Sequence, residues 1–319
     1  MGYIRRPSYY KDFRCIASDC TENCCIGWEI DVDEDTLAYY KSIGSDFSKR
    51  LCAAIAPADE QAGENAHFIL DERERCPFLN DKNLCEVYLN LGEEHMAQIC
   101  TDHPRYYEWF AGGREDGVGL CCEAAAELIL RRRDRPEWDV TGEADEEPDE
   151  FEQALFAMRD RLFAIIKPET PVSFDEKLDR LHLACCEMQN EYDDLLFPVE
   201  GDAEYADEED EPFRWSAMFW SEACLKALTE RLMSLEINKD DWRGLLADVH
   251  ARIPELLARR ADFLAAYADR LYEYDELLEY FVYRHFMKAL GDDVLIEKVQ
   301  FALICTCFIQ LLGIYRWLT

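Results

Sequence analysis

The sequence predicts a mainly α protein in which a loop-rich, cysteine-clustered N-terminal metal or cluster domain rests on a C-terminal helical bundle. Two observations lead there. Ten of the 15 cysteines lie at or before Cys122, and the other five are spread through the remaining 197 residues. Beyond residue 150 apolar side chains recur at three- and four-residue steps, while strand-like alternation is scarce. The expected organisation is a cysteine-rich domain over 1–135, an acidic linker over 136–150, and a helical domain over 151–319 that carries an acidic loop at 198–212.

Composition sets the outer limits. With 49 % hydrophobic and 13 % aromatic residues the chain can bury a large core. Its 68 Asp and Glu against 34 Lys and Arg give a formal charge of −34, the wrong sign for a nucleic-acid face. The same charge repels anionic membranes and favours a lysine-rich partner. The start, MGYIRRPSYYKDF, has no apolar run behind its arginines, so the expected location is the cytoplasm, with no membrane and no nucleic-acid partner. Gly2 is read as an ordinary residue rather than a myristoylation site, given the nearby Pro7.

The two acidic stretches, PEWDVTGEADEEPDE and PVEGDAEYADEEDEP, combine proline, glycine and carboxylates without apolar period and read as solvated loops. Between and after them run four helical stripes. The first is Phe151, Leu155, Met158, Leu162 and Ile166; the second is Leu178, Leu181, Cys185 and Met188. The third is Trp215, Phe219, Ala223, Ala227 and Leu235, and the fourth runs from Phe263 through Tyr267, Leu271, Tyr274 and Leu278 to Phe281. Core packing is the ordinary reason for such stripes. The apolar segment Val299–Tyr315 carries Gln300 and Gln310 and is expected to be a buried core helix. The sequence stops four residues later with neither cap nor stop signal, so the expectation is a C-terminally truncated chain or a further helix over this face.

In a reducing compartment clustered thiols point to metal ligation or redox chemistry rather than disulfides. The first station is Phe13-Arg-Cys15-x4-Cys20-x3-Cys24-Cys25-Ile-Gly27-Trp28. In an extended chain Cys24 and Cys25 would face opposite ways, one toward a ligand and one toward the packing side. Three further stations follow: Cys76-Pro-Phe-Leu with Leu84-Cys85, Cys100-Thr-Asp-His103-Pro-Arg105, and Cys121-Cys122-Glu123. Thiolate-rich sites select zinc or iron–sulfur clusters, and the spacing leaves both open. His103 could be a nitrogen ligand, an acid/base or a turn residue; Arg105 could anchor an anion or end a helix. The other histidines, including His182, read as isolated, and Cys185, Cys186, Cys224, Cys305 and Cys307 as small core residues.

The order F-x-C-x4-C-x3-C-C-x-G-W, C-P-F-L with L-C, C-x3-P-R and C-E-A-A, over about Phe13 to Leu130, resembles the flagellin lysine-N-methylase family, within a broader group of zinc- or iron-chelating CxxCxxCC proteins. The resemblance implies a cytoplasmic, S-adenosylmethionine-dependent methyltransferase acting on flagellin lysine ε-amines. It also implies an iron–sulfur cluster, of the 4Fe–4S type with zinc as the alternative. By position the metal ligands it implies are Cys15, Cys20, Cys24, Cys25, Cys76, Cys85, Cys100 and Cys122, with Cys121 the weaker member of its pair. Further C-terminal helices are expected in such a family, beyond what this chain carries.

Two departures bear on mechanism. The C-x3-C-x2-C spacing of radical S-adenosylmethionine chemistry is not met. The only glycine cluster, Gly112 to Gly119, reads as a hairpin turn rather than a nucleotide-binding loop, so neither donor-binding nor catalytic residues can be assigned. A lysine nucleophile needs a base deeper than the steering carboxylates, and Glu123 is the candidate. The alternatives from other classes are a non-catalytic zinc-stapled protein-interaction module and a redox sensor built on a vicinal cysteine pair.

Overall fold

The computed structural model describes residues 2–21, 23–59, 61, 63–133, 137–197, 213–237 and 240–319. The acidic loop expected over 198–212 lies outside them.

The chain begins with strand β1 (Tyr3–Pro7) and passes through the first cysteine loop into α1 (Glu34–Ile43) and α2 (Asp46–Ala53). Asp33 and Ser45 cap these helices by accepting the amides of Thr36 and Ser48. The antiparallel pair β2 (Ile55–Ala56) and β3 (His67–Phe68) follows, then α3 (Glu86–Leu91) and α4 (Gln98–Asp102). Together they enclose a small core of Ile30, Tyr40, Leu51, Phe68, Phe78 and Val87, to which buried Cys76 belongs.

Next come β4 (Arg105–Phe110), β5 (Gly113–Val118), α5 (Glu123–Leu130) and β6 (Trp138–Thr141). The four longer strands form one mixed sheet in the order β4-β5-β1-β6. β4 and β5 are the antiparallel hairpin expected around the glycine cluster, turning at Gly112 with φ +76°. β1 runs parallel to β5 and antiparallel to β6, with Arg5 opposite Val140. Part of the stretch read as a solvated linker is thus a strand. Trp138 supplies the reason: its ring packs 4.7 Å from that of Tyr283 and lies 4.3 Å beneath the Arg5 guanidinium.

The C-terminal region comprises α6 (Glu150–Ile166), α7 (Phe174–Leu196), α8 (Trp215–Phe219), α9 (Glu222–Met233), α10 (Asp240–Ala266), α11 (Tyr272–His285) and α12 (Leu295–Leu318). The fold is mainly α, with twelve α-helices among the described residues, as the sequence predicts. The first two apolar stripes are the core faces of α6 and α7. The third holds only at its start, where Trp215 and Phe219 of α8 are core residues: Ser221 then caps a new helix through the Cys224 amide, and the rephased α9 buries Leu225 and Thr229 while Ala223, Ala227 and Leu235 are exposed. The fourth spans two helices separated by a turn at Ala268–Arg270. Helix α12 is long and apolar enough to cross a membrane by length and composition, and half of its most apolar window is buried against the other helices.

The N-terminal sheet is locked to the bundle by ionic and aromatic contacts. Arg159 of α6, fully buried, makes a bidentate pair with Glu115 of β5 at 2.6 and 2.7 Å. The Tyr283 hydroxyl of α11 donates to the Asp116 carbonyl at 3.1 Å, and Tyr280 packs among Tyr9, Phe13, Val118 and Ile129.

Candidate thiol site

Backbone pairing brings the cysteine stations together. The Cys76 amide donates to the Cys25 carbonyl at 2.9 Å and the Gly27 amide to the Glu74 carbonyl at 3.0 Å, clamping the first station onto the second. Gly27 has φ +88°, a conformation that favours glycine, and this turns the chain toward Trp28. Arg75 then organises the loop from Leu79 to Leu84 by donating to the Leu79 and Asn80 carbonyls and the Asn83 side chain. Asn80 accepts the amides of Lys82 and Leu84. The result is a bridge between Leu79 and Cys85, which carries the Cys85 thiol back beside Cys76. Cys85 also caps α3, its sulfur accepting the Tyr88 amide at 3.5 Å. Asp33 fixes the third station by accepting the Gln98 amide at 2.9 Å at the start of α4, which carries Cys100.

Five of the eight candidate ligands, Cys24, Cys25, Cys76, Cys85 and Cys100, therefore share one electrostatic neighbourhood. Burial pushes Cys76 up to about 11 and Cys100 up to about 12, and burial raises Cys85 as well. The sulfurs also raise one another, because adjacent thiolates repel. Cys24 is the exception. A hydrogen bond from the Cys25 thiol holds it down to about 7, and the same bond raises Cys25. The expectation that these two sulfurs diverge is corrected here: they lie in a turn rather than an extended strand, so they meet.

Cys15 falls in a second group with Cys121 and Cys122 at the start of α5. Burial raises the Cys122 pKa. Cys20 sits between the two groups on the same loop, half-buried, with its amide donating to the Ala17 carbonyl. The loop is tied to α5 through Glu123, whose carboxylate accepts from both the amide and the hydroxyl of Thr21 at 2.7 and 2.8 Å. Glu123, the candidate base, therefore holds the loop. His103 is the other residue that can take up a proton here. Its ring lies 5.7 Å from that of Trp28, whose indole N–H donates to the Cys24 carbonyl, and burial lowers its pKa so that it is neutral near pH 7.

The donor set suits a soft metal: it offers thiols in numbers, and their mutual repulsion is relieved by a cation. No three donor atoms of these two groups lie within 4.8 Å of one another, whereas four sulfurs on one tetrahedral ion with metal–sulfur bonds of about 2.3 Å would sit about 3.8 Å apart. Among the described residues the group that meets the closer spacing is one that sequence reading passed over: His182, Cys185 and Cys186, one face of α7. Their i, i+3, i+4 spacing was the available signal, masked by the apolar stripe that contains Cys185. Such a group could hold a metal ion, but its hydrogen bonds currently hold a proton. The Trp215 indole can only donate, and it donates to Gln300 Oε1 at 2.6 Å, so Gln300 Nε2 faces His182 Nδ1 at 2.7 Å. The imidazole proton then sits on Nε2, 3.9 Å from the Cys186 sulfur.

Comparison with known proteins found relatives with the function that the motif order points to. The chain is 25 % identical over 138 aligned residues to the flagellar biosynthetic protein FliU of Salmonella muenchen, covering 41 % of this chain and 79 % of that protein. It is equally similar to the lysine-N-methylases of Salmonella choleraesuis and Salmonella typhimurium, again over 41 % of this chain but only 33 % of theirs. The alignment thus spans a third of the length of those methylases. No protein-family model matches the chain, and no solved structure does.

Proposed function

We propose that this chain is a protein-lysine N-methyltransferase that takes its methyl group from S-adenosylmethionine, holds an iron–sulfur cluster on its clustered cysteines, and acts on flagellin lysines in the cytoplasm. The observation that carries the reading is the convergence of Cys24, Cys25, Cys76, Cys85 and Cys100, from three separated stations, in a chain related to lysine-N-methylases. Cys15, Cys20 and Cys122 are the remaining candidate ligands. Five converging thiols are more than one tetrahedral ion takes, which favours a polynuclear cluster, in which each iron takes its own sulfur. When bound, such a cluster supplies redox chemistry and an iron at which a small molecule can sit.

The chain's own residues supply the other requirements. A lysine ε-ammonium must lose its proton before its lone pair can attack, and neutral His103 beside Trp28 is the candidate acceptor. The excess of carboxylates attracts lysine-bearing surfaces to the molecule. Anaerobic purification with iron, zinc and sulfide analysis tests the cluster, and transfer of labelled methyl groups to flagellin tests the reaction. Iron and sulfide in similar amounts with methylated lysine are expected. A colourless protein with stoichiometric zinc after failed reconstitution overturns the cluster and leaves the zinc-stapled interaction module. A cluster-loaded protein that transfers no methyl group overturns the enzyme.

A further inference from the structure

A cavity of about 610 Å³ opens where the end of β1, the segment after it, the start of β4 and strand β6 meet. Its size is that of a small-molecule site. Its charge runs against the rest of the chain. Carboxylates outnumber cations two to one overall, yet the walls here carry Arg6, Lys11, Arg14 and Arg105 against the single carboxylate of Asp139.

Two of these cations are already matched. Arg6 donates to buried Asp116 at 2.6 Å, and Lys11 reaches Asp139 at 3.3 Å. Arg14 and Arg105 are not. Arg14 spends only Nη1, on the carbonyls of Lys11 and Phe13, and Arg105 spends only Nη1, on the Thr101 carbonyl. Among the described residues neither has a carboxylate partner. The Arg105 guanidinium also lies 5.1 Å over the Phe13 ring, a contact that lowers the entropy it would lose on binding. A guanidinium carries five donors in a fork that matches carboxylate and phosphate, so two of them on one cavity make an oxyanion receptor. The aromatic walls are taken: Arg6 covers Tyr10, Arg105 covers Phe13, and Arg5 covers Trp138. Recognition therefore rests on the anionic group rather than on ring stacking.

We infer that this cavity binds a small organic molecule through a phosphate or carboxylate group held by Arg14 and Arg105. The inference does not rest on the methylase reading; two of its residues neighbour thiol stations in sequence, Arg14 before Cys15 and Arg105 after the Cys100-to-Pro104 segment. Isothermal titration of the full anaerobically purified chain at low salt, with inorganic phosphate, AMP and S-adenosylhomocysteine as probes, tests it. The first two carry phosphate and the third an amino-acid carboxylate, so the arms separate the sources. At least one probe is expected to bind, and Arg14→Gln with Arg105→Gln should weaken it about tenfold or more. Arg14→Gln alone, at an exposed position where a substitution costs little stability, should weaken it by about threefold, and decides the matter if the double variant misfolds. Absence of binding by all three at about 10 mM, or binding that Arg14→Gln leaves unchanged, overturns the inference.

Discussion

Replacing Arg159 with alanine should weaken the junction between sheet and bundle by an amount that the structure bounds. The guanidinium is fully buried, its two nitrogens hold both oxygens of Glu115, and Phe156, Phe163 and Tyr283 surround it at 5.1 to 5.9 Å. Removing one partner of a buried ion pair leaves the other charge without compensation, which costs about 3–5 kcal/mol. Arg5 stays 3.4 Å from Glu115 and offsets part of that, so about 3 kcal/mol is the expected loss. Urea denaturation should show a lower midpoint at unchanged slope. The double variant Arg159→Met with Glu115→Gln removes both charges, refills the aromatic cage, and should recover more than half of the loss. A single variant that loses less than about 1 kcal/mol, or a double variant no better than the single, refutes the argument that an uncompensated charge is what costs stability.

Glu276 is buried beside Glu279, and burial pushes its carboxyl up to about 7. The folded chain thus holds a proton that the unfolded chain has released, so stability falls as pH rises from about 4.5 to about 7, by up to about 3 kcal/mol. Denaturation midpoints across that window should fall less steeply in Glu276→Gln. Serine caps helices at least as well as cysteine, so Cys85→Ser removes a thiol without removing the cap of α3, and metal content after purification should drop by about half or more. At the α7 group, Gln300→Ala removes the donor that keeps the His182 proton on Nε2. Zinc affinity should then rise about tenfold and return to its starting value when Cys186→Ser is added, as read by competition with a chelating dye.

What could be read from the sequence divides by range. The core faces of α6 and α7 were legible because Leu155, Met158 and Leu162, or Leu178, Leu181 and Cys185, repeat within single helices. The third stripe failed beyond Phe219 because Ser221 restarts the helix, a local signal that a search for apolar period overrides. The mixed sheet was not legible: β1 and β6 pair across more than a hundred residues, and β6 lies in an acidic stretch with Trp138 as its anchor. The cysteine stations were legible as chemistry but not as two groups, since long-range pairings such as the Ile26–Arg75 bridge and the Thr21–Glu123 bonds decide which stations meet. The Arg14 and Arg105 cavity is likewise assembled from distant segments.

The unequal cores of the two regions make metal removal a directional test. The thiol-bearing core has nine buried side chains among the described residues, while the helical core has 35. Nine residues bury too little apolar surface to offset much of the ordering cost of the long loops around them, and small irregular domains commonly draw the difference from a metal. Cys76 is itself one of the nine, with Cys25, Cys85 and Cys100 packed beside it, so the residues that would hold the metal also close this core. Stripping the metal should therefore open residues 24–100 and leave α6, α7 and α12 protected. Amide hydrogen exchange read by mass spectrometry should show that contrast, with exchange about tenfold or more faster in the cysteine stations and unchanged in the bundle. The Glu115–Arg159 pair and the Tyr283 hydrogen bond hold the sheet to the bundle without any thiol, so β5 should stay with the protected part. Uniform deprotection of both regions would mean that the metal stabilises the whole molecule as one cooperative unit, and no change in either would mean that the thiols pack without needing it.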